Sequence, residues 1–203
     1  MCKFRDLKAD EIECRVQSVK VNQKDTKKSG VVLLLYKDAR VDMNILDETV
    51  GSSCWMREHY ECKGNLFCRV GICVETKKGD SIFPEWVWKS DCGTESNTEK
   101  EKGEASDSFK RACVNIGIGR ELYTSPLIFV DAETKYDDNK KVYKIADDKE
   151  QKRSQRMRVK EIDYNDKGEI DRLVIVDNNG VIVFPKNYAI QNPNKEVSNE
   201  PLP

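Results

Sequence analysis

Residues 53–91 read SCWMREHYECKGNLFCRVGICVETKKGDSIFPEWVWKSD. Ser53 to Cys62 alternates in polarity, as a strand does. Lys63-Gly64-Asn65 follows as a short turn. Leu66 to Thr76 is a second strand, with Leu66, Cys68, Val70, Ile72 and Val74 on one face and Phe67, Arg69, Gly71, Cys73 and Glu75 on the other. Lys77-Lys78-Gly79-Asp80 turns again, and Ile82 to Asp91 is a third strand. Pro84 suits its entry or an edge. Three strands in succession with one apolar face make an antiparallel β-meander. Trp86 and Trp88 share a face, which points to burial against a helix.

The flanking sequence supplies that helix. Over Glu104 to Ile116, Ala105, Phe109, Ala112, Cys113 and Ile116 form one apolar stripe, closed by Gly117 and Gly119. Ala39 to Val50 is a second helix, with Val41, Ile45, Leu46 and Thr49 at helical spacing and Gly51 as its stop. Glu11 to Asn22 and Val31 to Tyr36 read as strands, as does Leu127 to Val130. Arg158 to Asn165, Glu169 to Asp177 and Val181 to Phe184 are short strands around turns. The expected fold is therefore α+β: an N-terminal hairpin and helix, a three-stranded antiparallel β-meander packed on a helix, and a small C-terminal β unit. Residues 1–130 would form the core and 131–185 a basic linker with the C-terminal β unit. Residues 186–203 are polar, carry three prolines and read as a disordered tail.

Composition narrows the chemistry. The chain has 203 residues, 35 basic and 36 acidic, for a net charge of −1. Its longest apolar run, Val31 to Tyr36, is strand-sized, so no membrane span is expected. Met1-Cys2-Lys3-Phe4-Arg5-Asp6 leads straight into charge, and a cytoplasmic location is expected. The central cysteines, Cys54-x7-Cys62-x5-Cys68-x4-Cys73, contain no C-x-x-C knuckle. They read as free thiols acting as small apolar residues, and no metal or other cofactor is expected. His59, the single histidine, lies in a strand pattern and reads as a surface residue. There is no P-loop, and Gly117-Ile118-Gly119 lacks the third glycine of a dinucleotide fingerprint. A classical enzyme is not expected.

Binding fits the residues better. Single-stranded nucleic acid needs cations along a groove and surfaces that accept any base. Arg40, Arg57, Arg69 and Lys77 are candidates, as are the adjacent Lys110 and Arg111. Asp107 stands three positions before Lys110 and four before Arg111, and no other acidic residue lies at either spacing from the pair. Residues 149–160 carry six basic side chains against Glu150 alone.

The segment from Gly103 to Val114, GEASDSFKRACV, followed by Gly117 to Tyr123, GIGRELY, resembles the signature helix of the Rad-fifty-two-type single-strand annealing proteins, most closely the phage Sak annealases. Arg40-Val41 opening a helix before a meander, and Asp91-Cys92-Gly93 closing it, agree in order. The resemblance implies an ATP-independent protein that anneals complementary DNA strands in recombination and repair, without a catalytic site. It implies a homo-oligomeric ring holding single-stranded DNA in an outer groove. Arg40, Lys110 and Arg111 match the family's phosphate-gripping positions, and Lys77 the nearest position of a second DNA site. A further family arginine falls at Val114, where this sequence departs. A phage-encoded annealer would work in the bacterial cytoplasm and meet a single-strand-binding protein through its polar tail.

Two other readings remain. One is a general nucleic-acid-binding module using the basic 149–160 segment. The other is a magnesium-dependent nuclease built from Asp91, Glu95, Glu104 and Asp107.

Overall fold

The structure is a computed structural model that describes residues 3–22, 24, 29–94, 100–137, 140–144 and 157–186. The elements in chain order are β1 (Ile12–Lys20), β2 (Gly30–Lys37), α1 (Ala39–Val50), β3 (Trp55–Cys62), β4 (Asn65–Lys78), β5 (Ser81–Cys92), α2 (Lys100–Ile116), β6 (Ile128–Asp131), β7 (Glu133–Asp137), β8 (Lys140–Lys144), β9 (Arg158–Tyr164), β10 (Ile170–Val176) and β11 (Ile182–Phe184). They divide into two compact units. The first comprises Met1–Leu7 and Lys37–Arg120, the second Lys8–Tyr36 and Glu121–Pro203.

In the first unit α1 begins at Asp38, whose carboxylate accepts the Arg40 backbone N–H at 2.8 Å. It ends at Gly51, in the left-handed region at φ 86°, whose N–H donates to the Asp47 carbonyl. The meander runs in unbroken register, Trp55 opposite Ile72 and Val70 opposite Lys89. Directly opposite residues share a face, so the register sorts every side chain. One face carries the fully buried Cys68 and Val70, with Ile72 beside them, against Phe109, Ala112 and Cys113 of α2. These apolar positions, removed from water, hold helix to sheet. The approach is closest at Gly93, where a Cβ would lie 2.2 Å from the Glu104 carbonyl oxygen. Beyond Trp55 the sheet thins to a two-stranded ribbon of β4 and β5, on which Ile82 and Phe83 are exposed.

The second unit is built on a six-stranded antiparallel sheet of order β11-β10-β9-β1-β2-β6. The sheet curls until its edge strands meet, and Lys186 Nζ lies 2.5 Å from Asp131 Oδ2. Its tight turns are made by short polar side chains. Asn165 Oδ1 accepts the N–H of Lys167 and Glu169, and Asp177 Oδ1 those of Asn179 and Val181. Val31, Leu33, Ile128, Val130, Val159, Val174, Ile175 and Val176 fill its core.

The α+β expectation is corrected here. The described residues are mostly β, with 50% strand against 24% helix, and the six-stranded sheet is the largest element among them. What had read as an N-terminal hairpin and a small separate C-terminal unit are strands of one nearly closed sheet, in which Glu13 of β1 stands opposite Arg158 of β9. A helix does cover the meander, but it is one of only two α-helices among the described residues. The physical reason is range. Alternation reveals strands, while the partner of β1 lies far along the chain, where no local pattern identifies it. Within the stretch expected as a basic linker, β7 and β8 pair as an antiparallel hairpin. Residues 187–203 and 149–156 lie outside the described residues. No helix among the described residues is long and apolar enough to cross a membrane.

Candidate nucleic-acid interface

The six basic candidates do not converge on one groove. Arg57 is on the α2 side of the meander, its guanidinium 4.7 Å above the Phe109 ring. Lys110 and Arg111, adjacent in sequence, diverge by about 100° around the helix. Lys110 acts electrostatically on Asp42 of α1. Arg111 turns to β5, where its Nη2 lies 3.4 Å from Asp91 Oδ1. Each therefore meets a carboxylate supplied by another element, which spacing along the helix does not reveal. Arg40 stands exposed at the start of α1. Arg69 and Lys77 are on the opposite face of β4, away from α2.

Beneath the helix lies a buried ionic cluster missed by the sequence reading. Lys37 Nζ pairs with Asp42 Oδ1, and both side chains are almost completely inaccessible. The buried Asp42 carboxylate also meets the Cys113 thiol. Burial pushes the Asp42 carboxyl up to about 6, against the opposing pull of the Lys37 and Lys110 ammonium groups. The signal was present: Asp42 stands three and four positions before Ile45 and Leu46, on the helix's inward side. Cys113 and Cys68 adjoin this cluster as buried thiols. Burial pushes Cys68 up to about 11 and Cys113 well above the ordinary thiol value.

The other face of the meander is uncovered and aromatic. Trp86 and Trp88 do not pack against α2. Their strand register puts them opposite Cys73 and Gly71, on the far face. Their rings stack at 6.0 Å, and the Arg69 guanidinium sits 4.6 Å from the centre of Trp88. Arg69 is held there by Glu58, whose Oε2 accepts its Nε and Nη2 hydrogens at 2.9 and 2.6 Å. Tyr60 and Phe67 stack at 5.5 Å on the same face. Between these two aromatic pairs lies an open depression of about 430 Å³, lined by Glu58, Tyr60, Arg69, Trp88, Lys89 and Ser90. Trp55 alone of the three tryptophans packs under α2, 6.2 Å from Phe109, and its Nε1–H donates to Asp47 at 2.6 Å.

The acidic residues read as a nuclease set are held apart. Asp91 engages Arg111 and Asn115, Glu104 accepts the Leu66 N–H at 3.0 Å, and Asp107 accepts from Thr94. Glu95 lies outside the described residues. His59 Nε2 is 3.1 Å from the Ala105 carbonyl oxygen. No group of three or more His, Cys, Asp or Glu side chains suited to a metal ion occurs among the described residues.

No family model matches this chain, and no curated protein or solved structure matches it either. The likeness to annealing proteins thus rests on residues 103–123 and the order of elements around them.

Proposed function

We propose that this protein binds single-stranded DNA on the open face of the meander and promotes pairing of complementary strands without nucleotide hydrolysis. The observation that carries this reading is the depression between Tyr60 and Trp88, with Arg69 at its rim. Aromatic walls accept the π-face of any base, and cations beside them meet the backbone; both are independent of sequence, as annealing requires. Arg69 is oriented in advance by Glu58, so little side-chain entropy is lost on binding. Lys77 lies on the same face, farther along β4 toward the ribbon.

The proposed contact is therefore Arg69 and Lys77, on the face that carries the aromatic depression, rather than Lys110 and Arg111 of α2. The test is fluorescence titration of a dye-labelled oligothymidylate. Trp88→Ala should weaken binding strongly, and Lys110→Ala/Arg111→Ala only slightly. Equal losses from both would refute the assignment of the face.

Self-assembly is part of the same proposal. The outer edges of β3 and β5 are unpaired among the described residues, and Ile82 and Phe83 stand exposed on the ribbon at 62% and 51%. Open edges and exposed apolar side chains favour association. Light scattering on the purified chain should give a mass several times that of one subunit, and a strictly monomeric mass would refute this part.

A further inference from the structure

Two pairs of cysteines come together in the first unit, in opposite environments. Cys68 and Cys113 meet beneath α2, both fully buried, where desolvation holds them as thiols and no oxidant reaches them. Cys54 and Cys73 are neighbours across the backbone at the margin of the meander, both partly exposed and both free. The Cys73 N–H donates to the Cys54 carbonyl at 2.9 Å, one hydrogen bond beyond Trp55 opposite Ile72, while the Cys54 N–H turns to the Gly51 carbonyl at 3.0 Å. Residues directly opposite in an antiparallel pair have Cα atoms about 4.5–5.5 Å apart and side chains on one face. A disulfide needs Cα atoms about 4.4–6.8 Å apart. No rung within the register of this sheet opposes two cysteines: Cys62 faces Asn65, Cys92 faces Phe67, and Cys68 faces His59 and Asp91.

We propose that Cys54 and Cys73 form a reversible cross-strand disulfide, with a small-molecule disulfide such as oxidised glutathione as the oxidant. One cysteine thiolate attacks a glutathione sulfur. A protein–glutathione bond forms, the glutathione S–S bond breaks, and one glutathione thiolate leaves. The second cysteine thiolate then attacks the protein sulfur of that mixed disulfide and expels the second glutathione. Two protein thiols lose two electrons and two protons; one glutathione disulfide becomes two thiols. An exposed disulfide of this kind is readily reduced, unlike a buried structural one. The bond joins the turn after α1 to β4 at the root of the ribbon, on the rung where Cys73 stands opposite Trp86.

The experiment equilibrates the full chain in glutathione buffers of graded redox ratio, blocks free thiols with N-ethylmaleimide, and maps the peptides by mass spectrometry. The expected result is a Cys54–Cys73 linked peptide that accumulates as the buffer becomes more oxidising and disappears with dithiothreitol. Cys68 and Cys113 should take up the blocking reagent only after denaturation. In Cys73→Ser, Cys54 should stop at the glutathione mixed disulfide. The proposal is overturned if both thiols remain blockable in the most oxidising buffer, or if they carry glutathione without linking. It is equally overturned if Cys54 pairs with another cysteine, in the natural chain or in Cys73→Ser.

Discussion

The Trp88 indole lies across Gly71, so closely that a Cβ on that glycine would meet a ring carbon at 2.8 Å. The absence of a side chain at Gly71 lets the ring lie down over β4, where Arg69 and Trp86 border it. Gly71→Ala should lift the ring, break both contacts and destabilise the fold by about 1–3 kcal/mol. Urea denaturation gives the stability change, and near-ultraviolet circular dichroism should show the loss of the coupled indole signal.

Base stacking on aromatic side chains contributes about 1–3 kcal/mol per base. Trp88→Ala should therefore weaken binding of an oligothymidylate by roughly one to two orders of magnitude. Tyr60→Ala, at the other wall of the depression, should act in the same direction. An anisotropy titration at fixed salt checks both.

Phosphate contacts are read from salt dependence. Each contact removed should flatten the plot of log affinity against log salt by about one unit. Lys77→Ala should produce that change with little dependence on base sequence. Arg57→Ala, on the α2 face above Phe109, should leave the slope unchanged and act on stability instead.

The buried pair of Lys37 and Asp42 predicts a pH effect. The folded carboxyl is raised to about 6, above its unfolded value near 3.9. Protonated Asp42 thus favours the folded state. Its contribution is fully present below about pH 4 and is lost as pH rises through about 6, on the order of 3 kcal/mol. Asp42→Asn removes this titration. The difference in urea stability between the natural chain and Asp42→Asn should change between pH 4.5 and 7, in the direction of relative loss for the natural chain. A pH-independent difference would contradict it.

The elements of residues 39–116 were legible because their signals are local. The stripe ending in Gly51, the alternation of Leu66 to Val74 and the apolar spacing around Phe109 each fix an element by themselves. The fold class was not legible, because it depends on β1 finding β9 across more than a hundred residues. The site was half legible. Arg69, Lys77 and the two tryptophans stood out, but Trp86 and Trp88 were expected under a helix. Only strand register shows that they share the Gly71 face instead. The separation of Lys110 from Arg111 was equally hidden, since their carboxylates belong to α1 and β5.

The most direct measurement is strand annealing followed by energy transfer between dyes on two complementary oligonucleotides, without ATP. It compares the natural chain, Trp86→Ala/Trp88→Ala and Lys110→Ala/Arg111→Ala. The account predicts acceleration by the natural chain, retained by the Lys110/Arg111 variant and lost by the tryptophan variant. Acceleration absent from the natural chain, or undiminished in the tryptophan variant, would contradict it.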